Sequence, residues 1–354
     1  MNSSNKANAF KRSQMKYRRQ ANAPNRLDDF DEFVDFSNSK DPRIITADPE
    51  CLPKESDLYY QGTMYRLDCV PGFWYAPQAL STKLQLAIAF ASVSNFCEKP
   101  HQTNIDLVPP KPSEEDNTYE SMWKLWKEHQ KNPPNKHDNK QKKKHRSFDK
   151  LSWATMGLHY DWTSRSYDPS KRSEMPQMIV QTSTLFARTA LKLLGESPTS
   201  FTPSASIVNY YNPKSLMGGH RDDLELAFDK PIVSLSVGRP AVFLLGGKTK
   251  DDTPVLPILI RPGDVMIMAG DCRLNYHGMA RILPSSLPQG DVKISPNTQV
   301  TFSQVVLQES DATNARQSLP EEERDFLTRY LADHRININV RQVYPDGQDP
   351  GNEK

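Results

Sequence analysis

Arg335-Ile-Asn-Ile-Asn-Val-Arg341 alternates without a break between charged or amide side chains and branched apolar ones. Successive side chains on an extended strand point to opposite faces. The run therefore sets Arg335, Asn337, Asn339 and Arg341 on one face and Ile336, Ile338 and Val340 on the other. With its apolar side against helices and its basic side turned inward, such a strand suits the wall of a barrel that binds a dicarboxylate. Arginine fits that task because its planar fork pairs with a carboxylate through two charge-assisted hydrogen bonds. An alternating basic strand can equally be a solvent-facing edge, so its neighbours in the sequence decide.

Those neighbours read as more strands. Short strand-like runs at 207–211, 232–237, 241–245, 256–260, 265–269 and 299–307 are separated by turns such as Gly246-Gly247 and Pro262-Gly263-Asp264. Residues 178–194 form an amphipathic helix closed by Gly195. Pro320 followed by Glu321, Glu322 and Glu323 opens the last helix, which runs into Arg335. Many short strands with turn signals predict a mainly β fold with flanking helices, a sandwich or a barrel.

Two histidines and an aspartate stand out within this region. His220-x-Asp222 lies in Met217-Gly-Gly-His-Arg-Asp-Asp-Leu-Glu225, and His277 lies in Leu274-Asn-Tyr-His-Gly278. Two imidazoles and one carboxylate make a facial triad for non-haem iron, leaving adjacent positions open for a co-substrate and dioxygen. Each part alone is weak, since an HxD arises by chance and a histidine on a strand is more often hydrogen-bonded than metal-bound. Asn209 and Tyr211, two apart, share the face of an earlier strand. Iron together with a dicarboxylate points to a 2-oxoglutarate-dependent oxygenase.

The remainder of the 354 residues, with a net charge of +2, is unevenly charged. Residues 1–26 carry seven cations and no acid, and read as a disordered tail, a nuclear or mitochondrial targeting segment, or a phosphate-binding arm. An acidic, aromatic run, Asp28-Asp-Phe-Asp-Glu-Phe-Val-Asp-Phe36, follows as a linker or a docking segment. Residues 109–150 are rich in Pro, Asn and Lys and end in Asn139-Lys-Gln-Lys-Lys-Lys-His-Arg146, a mobile basic insertion suited to phosphate contact. The expected division is a basic arm and linker over 1–45, an extension packed on the core over 46–108, that insertion over 109–150, a catalytic core over 151–345, and a tail over 346–354. The four cysteines, Cys51, Cys69, Cys97 and Cys272, form no CxxC pair, which speaks against structural zinc and for a reducing compartment. No apolar run is long enough for a membrane span. The expectation is an intracellular monomer in the nucleus, cytoplasm or mitochondrion, with no membrane partner.

The order Asn209-x-Tyr211, His220-x-Asp222, His277, Arg335-x-Asn337-x-Asn339-x-Arg341 resembles the AlkB family of iron- and 2-oxoglutarate-dependent nucleic-acid demethylases. Leu151-Ser-Trp-Ala-Thr-Met-Gly-Leu-His-Tyr-Asp-Trp162, Phe243-Leu-Leu-Gly-Gly247 and Gly263-Asp-Val-Met-Ile-Met-Ala-Gly270 resemble its AlkB homologue 1 branch. The resemblance spans roughly residues 65–345. It implies a double-stranded β-helix, a jelly roll, with an N-terminal extension serving as a substrate lid. It implies Fe(II) on the catalytic triad His220, Asp222 and His277, with 2-oxoglutarate and dioxygen as co-substrates. Arg335 would pair with the distal carboxylate of 2-oxoglutarate, helped by Tyr211 and Asn209, and Asn337 and Arg341 would complete the pocket. Trp162 and Tyr167 would contact the base and backbone of the substrate. Independently of the resemblance, Arg221, Arg273 and Arg281 read either as phosphate contacts, together with the Lys140–Arg146 run, or as solvated surface charges.

Two departures from the family pattern bear on the site. Asn339 stands where the family usually has Thr, which keeps a polar group inward. The acid that helps select the base in the bacterial pattern lies two after the metal aspartate. Here that place is Leu224, followed by Glu225, the acid that remains for substrate contact. The implied substrate is a methylated base, flipped or single-stranded. tRNA carrying 1-methyladenine or 5-methylcytosine comes first, then other RNA and DNA. The alternatives are a histone or other protein demethylase or hydroxylase, and a nucleic-acid-binding protein with a vestigial iron site.

Overall fold

The computed structural model describes residues 7–18, 33–37, 40–48, 63–109, 120–132, 146–161, 163–197, 201–283 and 319–351. Strand β14 (Arg335–Arg341) lies in the middle of a sheet, between β9 (Ile232–Gly238) and β7 (Ala205–Tyr211). Ten strands make up this major sheet. Its order is β1 (Ile44–Thr46), β2 (Tyr65–Leu67), β3 (Val70–Ala76), β12 (Val265–Met268), β9, β14, β7, β5 (Trp153–Asp161) and β4 (Gln102–Thr103), with β6 (Ser166–Ser173) pairing on β5 as a hairpin. A minor sheet runs β11 (Leu256–Ile260), β10 (Ala241–Leu245), β13 (His277–Ile282) and β8 (Met217–His220). Every pairing between these strands is antiparallel. Two facing antiparallel sheets give the expected jelly roll.

The alternation in β14 sorts the layers as its pattern predicts. Ile336, Ile338 and Val340 join an apolar layer on the outside of the major sheet with Val233, Leu235 and Val208. Helices α2 (Thr82–Ser94), α4 (Gln177–Leu193) and α5 (Glu321–Asp333) supply the covering side through Leu84, Ile88, Ile179, Phe186, Phe326 and Tyr330. Between the sheets lies a second apolar layer of Phe73, Tyr75, Phe243, Leu245, Ile258, Met266, Met268 and Met279. α4 ends where Gly195 takes φ +76°, a left-handed turn that glycine adopts without steric cost.

The N-terminal arm departs from the expected disordered tail. Residues Ala9–Tyr17 form helix α1, with Asn8 accepting the Lys11 N–H at its start. Its buried residues Phe10, Gln14 and Tyr17 fall four and three apart, so they share one helix face. Phe10 and Tyr17 pack with Val242, Leu244, Leu259 and Ala280 on the outside of the minor sheet. The acidic linker also docks. Asp35 takes a two-pronged ion pair from Arg261 at 2.7 Å, and Phe36 stacks on Tyr75 with ring centroids 4.1 Å apart. Val34 bridges to Ile258 and so covers the free edge of β11. The apolar side chains of both segments outweigh the local charge once the sheet offers a surface to bury them.

The described parts of the expected mobile insertion dock as well. Helix α3 (Met122–Lys131) lays Trp123 and Trp126 against Phe326 and Tyr330 of α5, and the Trp123 indole donates to Glu323 at 2.7 Å. Arg146 is not a phosphate contact. It is 2% exposed and held by Asp106 at 2.7 Å and Glu98 at 2.9 Å. The Lys-rich residues 140–145, the run at 299–307 and Trp162 lie outside the described residues. No helix among the described residues is long and apolar enough to cross a membrane.

Candidate metal centre and co-substrate pocket

Strands β8 and β13 form an antiparallel pair in which His220 stands opposite His277. Asp222 follows two residues after the end of β8. The potential ligand atoms of His220, Asp222 and His277 all lie within 4.8 Å of one another. His220 Nε2 is 3.8 Å from one Asp222 oxygen, and His277 Nε2 is 4.0 Å from the other. Each imidazole uses Nδ1 for a main-chain carbonyl, His220 with Gly218 and His277 with Asn275, both at 3.0 Å. A ring that donates from Nδ1 leaves the Nε2 lone pair for a metal, the usual support for a ligating histidine. Burial, reinforced by neighbouring His220, pushes His277 down to about 4, so its ring is neutral at pH 7. Burial alone would raise the Asp222 carboxyl. Arg341, 3.2 Å away, and the two histidines outweigh it and hold the group well below the usual carboxylate range.

Behind the triad a cavity opens between the sheets, lined by Tyr211, Ser234, Phe243, Met266, Met268, Arg335, Asn337 and Asn339. Arg335 is fully buried. It donates to the Ser236 hydroxyl at 2.8 Å and the Arg239 carbonyl at 3.1 Å, and its Nε has no hydrogen-bond partner. No carboxylate among the described residues lies within ion-pair distance of it. Burial pulls its pKa down. A buried cation without a counter-charge is costly, and a ligand carboxylate entering this cavity would supply the missing partner. Asn337 donates to the Ser234 hydroxyl at 2.8 Å and the Leu235 carbonyl at 3.1 Å. The donor set around the triad and the orphaned guanidinium together fit Fe(II) with a dicarboxylate co-substrate.

The other residues singled out in the sequence divide. Tyr211 lines the cavity directly across from Arg335 in register, while Asn209 pairs with Asn337 and stands outside the lining. Arg341 also stands outside it. Its guanidinium turns to Asp222 and to Glu225, at 3.2 and 2.9 Å, because two acids on the segment after β8 reach it first. Arg273 is buried rather than surface-facing, donating to the Asp222 carbonyl at 2.7 Å and to Glu225 at 3.0 Å. Arg281 is buried on β13, opposite Val242, which removes it from the phosphate-facing surface. Arg221 is exposed, pairs with Asp223 at 2.8 Å and lies 5.7 Å from the centre of the Tyr276 ring. Tyr167 and Glu225 meet each other, the hydroxyl donating at 3.0 Å. Glu225 is 1% exposed with both oxygens engaged, so it is not a free contact for substrate.

Ser234 and Ser236 were not singled out in the sequence, although Ile232-Val-Ser-Leu-Ser-Val-Gly238 carries the same two-residue period. Arg273 sits on a short 3-10 helix, Gly270–Leu274, where no strand periodicity announces its buried role.

The family model described as the 2OG-Fe(II) oxygenase superfamily matches residues 111–341. A protein of Arabidopsis thaliana named DNA N(6)-methyladenine demethylase ALKBH1A is 31% identical over 294 residues, covering 79% of this chain and 78% of that protein. The nucleic acid dioxygenase ALKBH1 of Mus musculus is 30% identical over 285 residues, 80% of this chain and 67% of its own. The tRNA demethylase abh1 of Schizosaccharomyces pombe is 26% identical over 353 residues, 96% of this chain and 97% of its own.

Proposed function

This chain belongs to the 2OG-Fe(II) oxygenase superfamily, and we propose that it oxidises methyl groups on the bases of nucleic acid, tRNA foremost. One observation carries the enzymatic reading. Three potential metal ligands converge at the mouth of a cavity whose inner wall presents a buried arginine without a counter-charge. When bound, Fe(II), 2-oxoglutarate and dioxygen supply an oxidant that hydroxylates a methyl C–H bond while 2-oxoglutarate becomes succinate and carbon dioxide.

The chain's own residues prepare the site for that chemistry. His220, Asp222 and His277 would hold the metal, and the Nδ1 contacts to the carbonyls of Gly218 and Asn275 leave both Nε2 atoms available to it. Arg335, backed by Ser236, would receive the distal carboxylate of 2-oxoglutarate in the cavity that Tyr211 and Asn337 also line. The apolar side chains of Phe243, Met266 and Met268 in the same lining lower the local dielectric, which would strengthen that ion pair. His220, whose side chain is 38% exposed, marks the open side on which a base would arrive. An N-methyl group hydroxylated there is lost as formaldehyde, whereas a C-methyl group stays on the base in oxidised form.

The relatives support nucleic acid as the substrate class, and the one aligned over nearly the whole chain is named a tRNA demethylase. The cations of residues 6–26 and 140–146 suit a polyanion larger than a nucleotide, although Arg146 is committed inside the protein. We place the protein in the nucleus, cytoplasm or mitochondrion as a monomer. The test is mass spectrometry of nucleosides from total tRNA and from DNA after incubation with protein, Fe(II) and 2-oxoglutarate. Loss of 1-methyladenosine, or appearance of oxidised 5-methylcytidine, in the tRNA alone is the expected result. Oxidation of a histone peptide with every nucleoside unchanged would overturn the proposal.

A further inference from the structure

Glu225 is three residues beyond Asp222 and 1% exposed, too enclosed for the substrate contact that its sequence position suggests. It sits at the centre of a buried network. One oxygen accepts from Arg341 at 2.9 Å and from the Tyr167 hydroxyl at 3.0 Å, and the other accepts from Arg273 at 3.0 Å. Both arginines continue to Asp222. Arg341 reaches its carboxylate at 3.2 Å, on the oxygen nearer His277, and Arg273 donates to its main-chain carbonyl at 2.7 Å. Glu225 thus anchors two clamps, one on the side chain and one on the backbone of the same residue. Tyr167 belongs to β6, the outer strand of the β5–β6 hairpin, and is a residue that the resemblance sets against the substrate.

We propose that Glu225 is a positioning residue: it holds the Asp222 carboxylate in its ligand orientation through Arg341 and Arg273, and it ties that carboxylate to the β5–β6 hairpin through the Tyr167 hydroxyl. The physical basis is the shared low-dielectric setting. Two arginines packed around two carboxylates balance only when each guanidinium has its acid in place. A hairpin displaced by an arriving substrate would pull the Tyr167 hydroxyl off Glu225 and leave that oxygen wholly to Arg341. The inference rests on the triad being a metal centre and adds to it a mechanical link to the β5–β6 hairpin.

Two conservative variants test it. Glu225→Gln keeps the shape and removes the charge. Tyr167→Phe keeps the ring and removes the hydroxyl, and leaves every buried charge paired. Each is titrated with Mn(II) by calorimetry and by the paramagnetic resonance of the bound ion, without oxygen or turnover, alongside the melting of the metal-free protein. Outer-sphere changes of this kind cost roughly 10-fold to 100-fold in metal affinity. That loss is expected for Glu225→Gln, and a smaller one with an altered Mn(II) spectrum for Tyr167→Phe. A Tyr167 that served only as a nucleic-acid contact would instead lower oligonucleotide affinity and leave the Mn(II) spectrum untouched, which would overturn the link. Wild-type Mn(II) affinity and spectrum in both variants would overturn the whole proposal. Failure of the wild type to bind Mn(II) would sink the metal reading itself.

Discussion

Arg341 and Arg335 leave the same face of one strand and meet opposite fates. Arg341 is spent on carboxylates inside the protein, 3.2 Å from Asp222 and 2.9 Å from Glu225. Arg335, fully buried six residues earlier, has only a hydroxyl and a carbonyl for company. The first arginine is therefore committed to the aspartate of the triad, and the second has no carboxylate partner among the described residues.

Arg335→Met should separate stability from binding. Replacing an unpaired buried cation with an apolar side chain of similar length is expected to raise the melting temperature of the ligand-free protein. Affinity for 2-oxoglutarate should fall at least ~100-fold, because breaking a buried charge pair costs roughly 3–5 kcal/mol. Calorimetry with 2-oxoglutarate in the presence of Mn(II) reads the second effect, and Mn(II) binding itself should survive. An unchanged 2-oxoglutarate affinity would refute the assignment of Arg335.

His220→Ala, Asp222→Ala and His277→Ala should each abolish succinate formation, with cooperative melting retained. His220, the most exposed of the three, should disturb the fold least. A variant that keeps full turnover at unchanged metal content would remove that residue from the ligand set.

Phe10→Ala should destabilise the protein by about 3–5 kcal/mol, the usual range for emptying a buried phenylalanine site. Phe10 is 2% exposed and its ring fills the space above Gly219 and Gly246, where a Cβ at Gly219 would collide with it. Gly219→Ala should therefore dislodge α1, whose Gln14 amide otherwise donates to the Met217 carbonyl at 3.0 Å. Hydrogen exchange across residues 9–17 and 217–220 measures this. Protection equal to wild type in both variants would mean that α1 does not brace β8.

His101 supplies a pH dependence away from the metal. Burial, with a smaller effect from His159, pushes it down to about 4 from its ordinary 6.5, and its Nδ1 shares a 2.8 Å hydrogen bond with Ser173. The folded state then binds fewer protons than the unfolded state between those values. Stability contributed by neutral His101 is present above pH 6.5 and is lost as pH falls toward 4. Denaturant unfolding should show wild type weakening through this window and His101→Asn weakening less steeply. Parallel curves would show that His101 protonates as readily in the folded protein as in the unfolded one.

Much of this site could be read before any coordinates. Period-two alternation in residues 335–341 depends only on backbone geometry, so the two faces of β14 followed directly. Side-chain chemistry confined candidate metal ligands to a few residue types, and His220, Asp222 and His277, which converge in the fold, were among them. The arm was harder. Phe10, Gln14 and Tyr17 do recur at helical spacing, but seven nearby cations without an acid argued for a solvated tail. What makes α1 fold is the apolar outer face of the minor sheet, assembled from residues more than two hundred positions away.

The same division runs through the arginines. By alternation alone, Arg335 and Arg341 are equivalent, two cations on one strand face, and Glu225 is an acid three residues after Asp222. Their roles separate only when β8 crosses to the minor sheet and its trailing segment brings Asp222 and Glu225 against Arg341, leaving Arg335 facing an empty wall of methionines and serines. Local pattern sets which way a side chain points, because that follows from torsion angles. Which charge it meets depends on distances between segments far apart in the chain, and electrostatic pairing in a dry interior changes steeply with those distances.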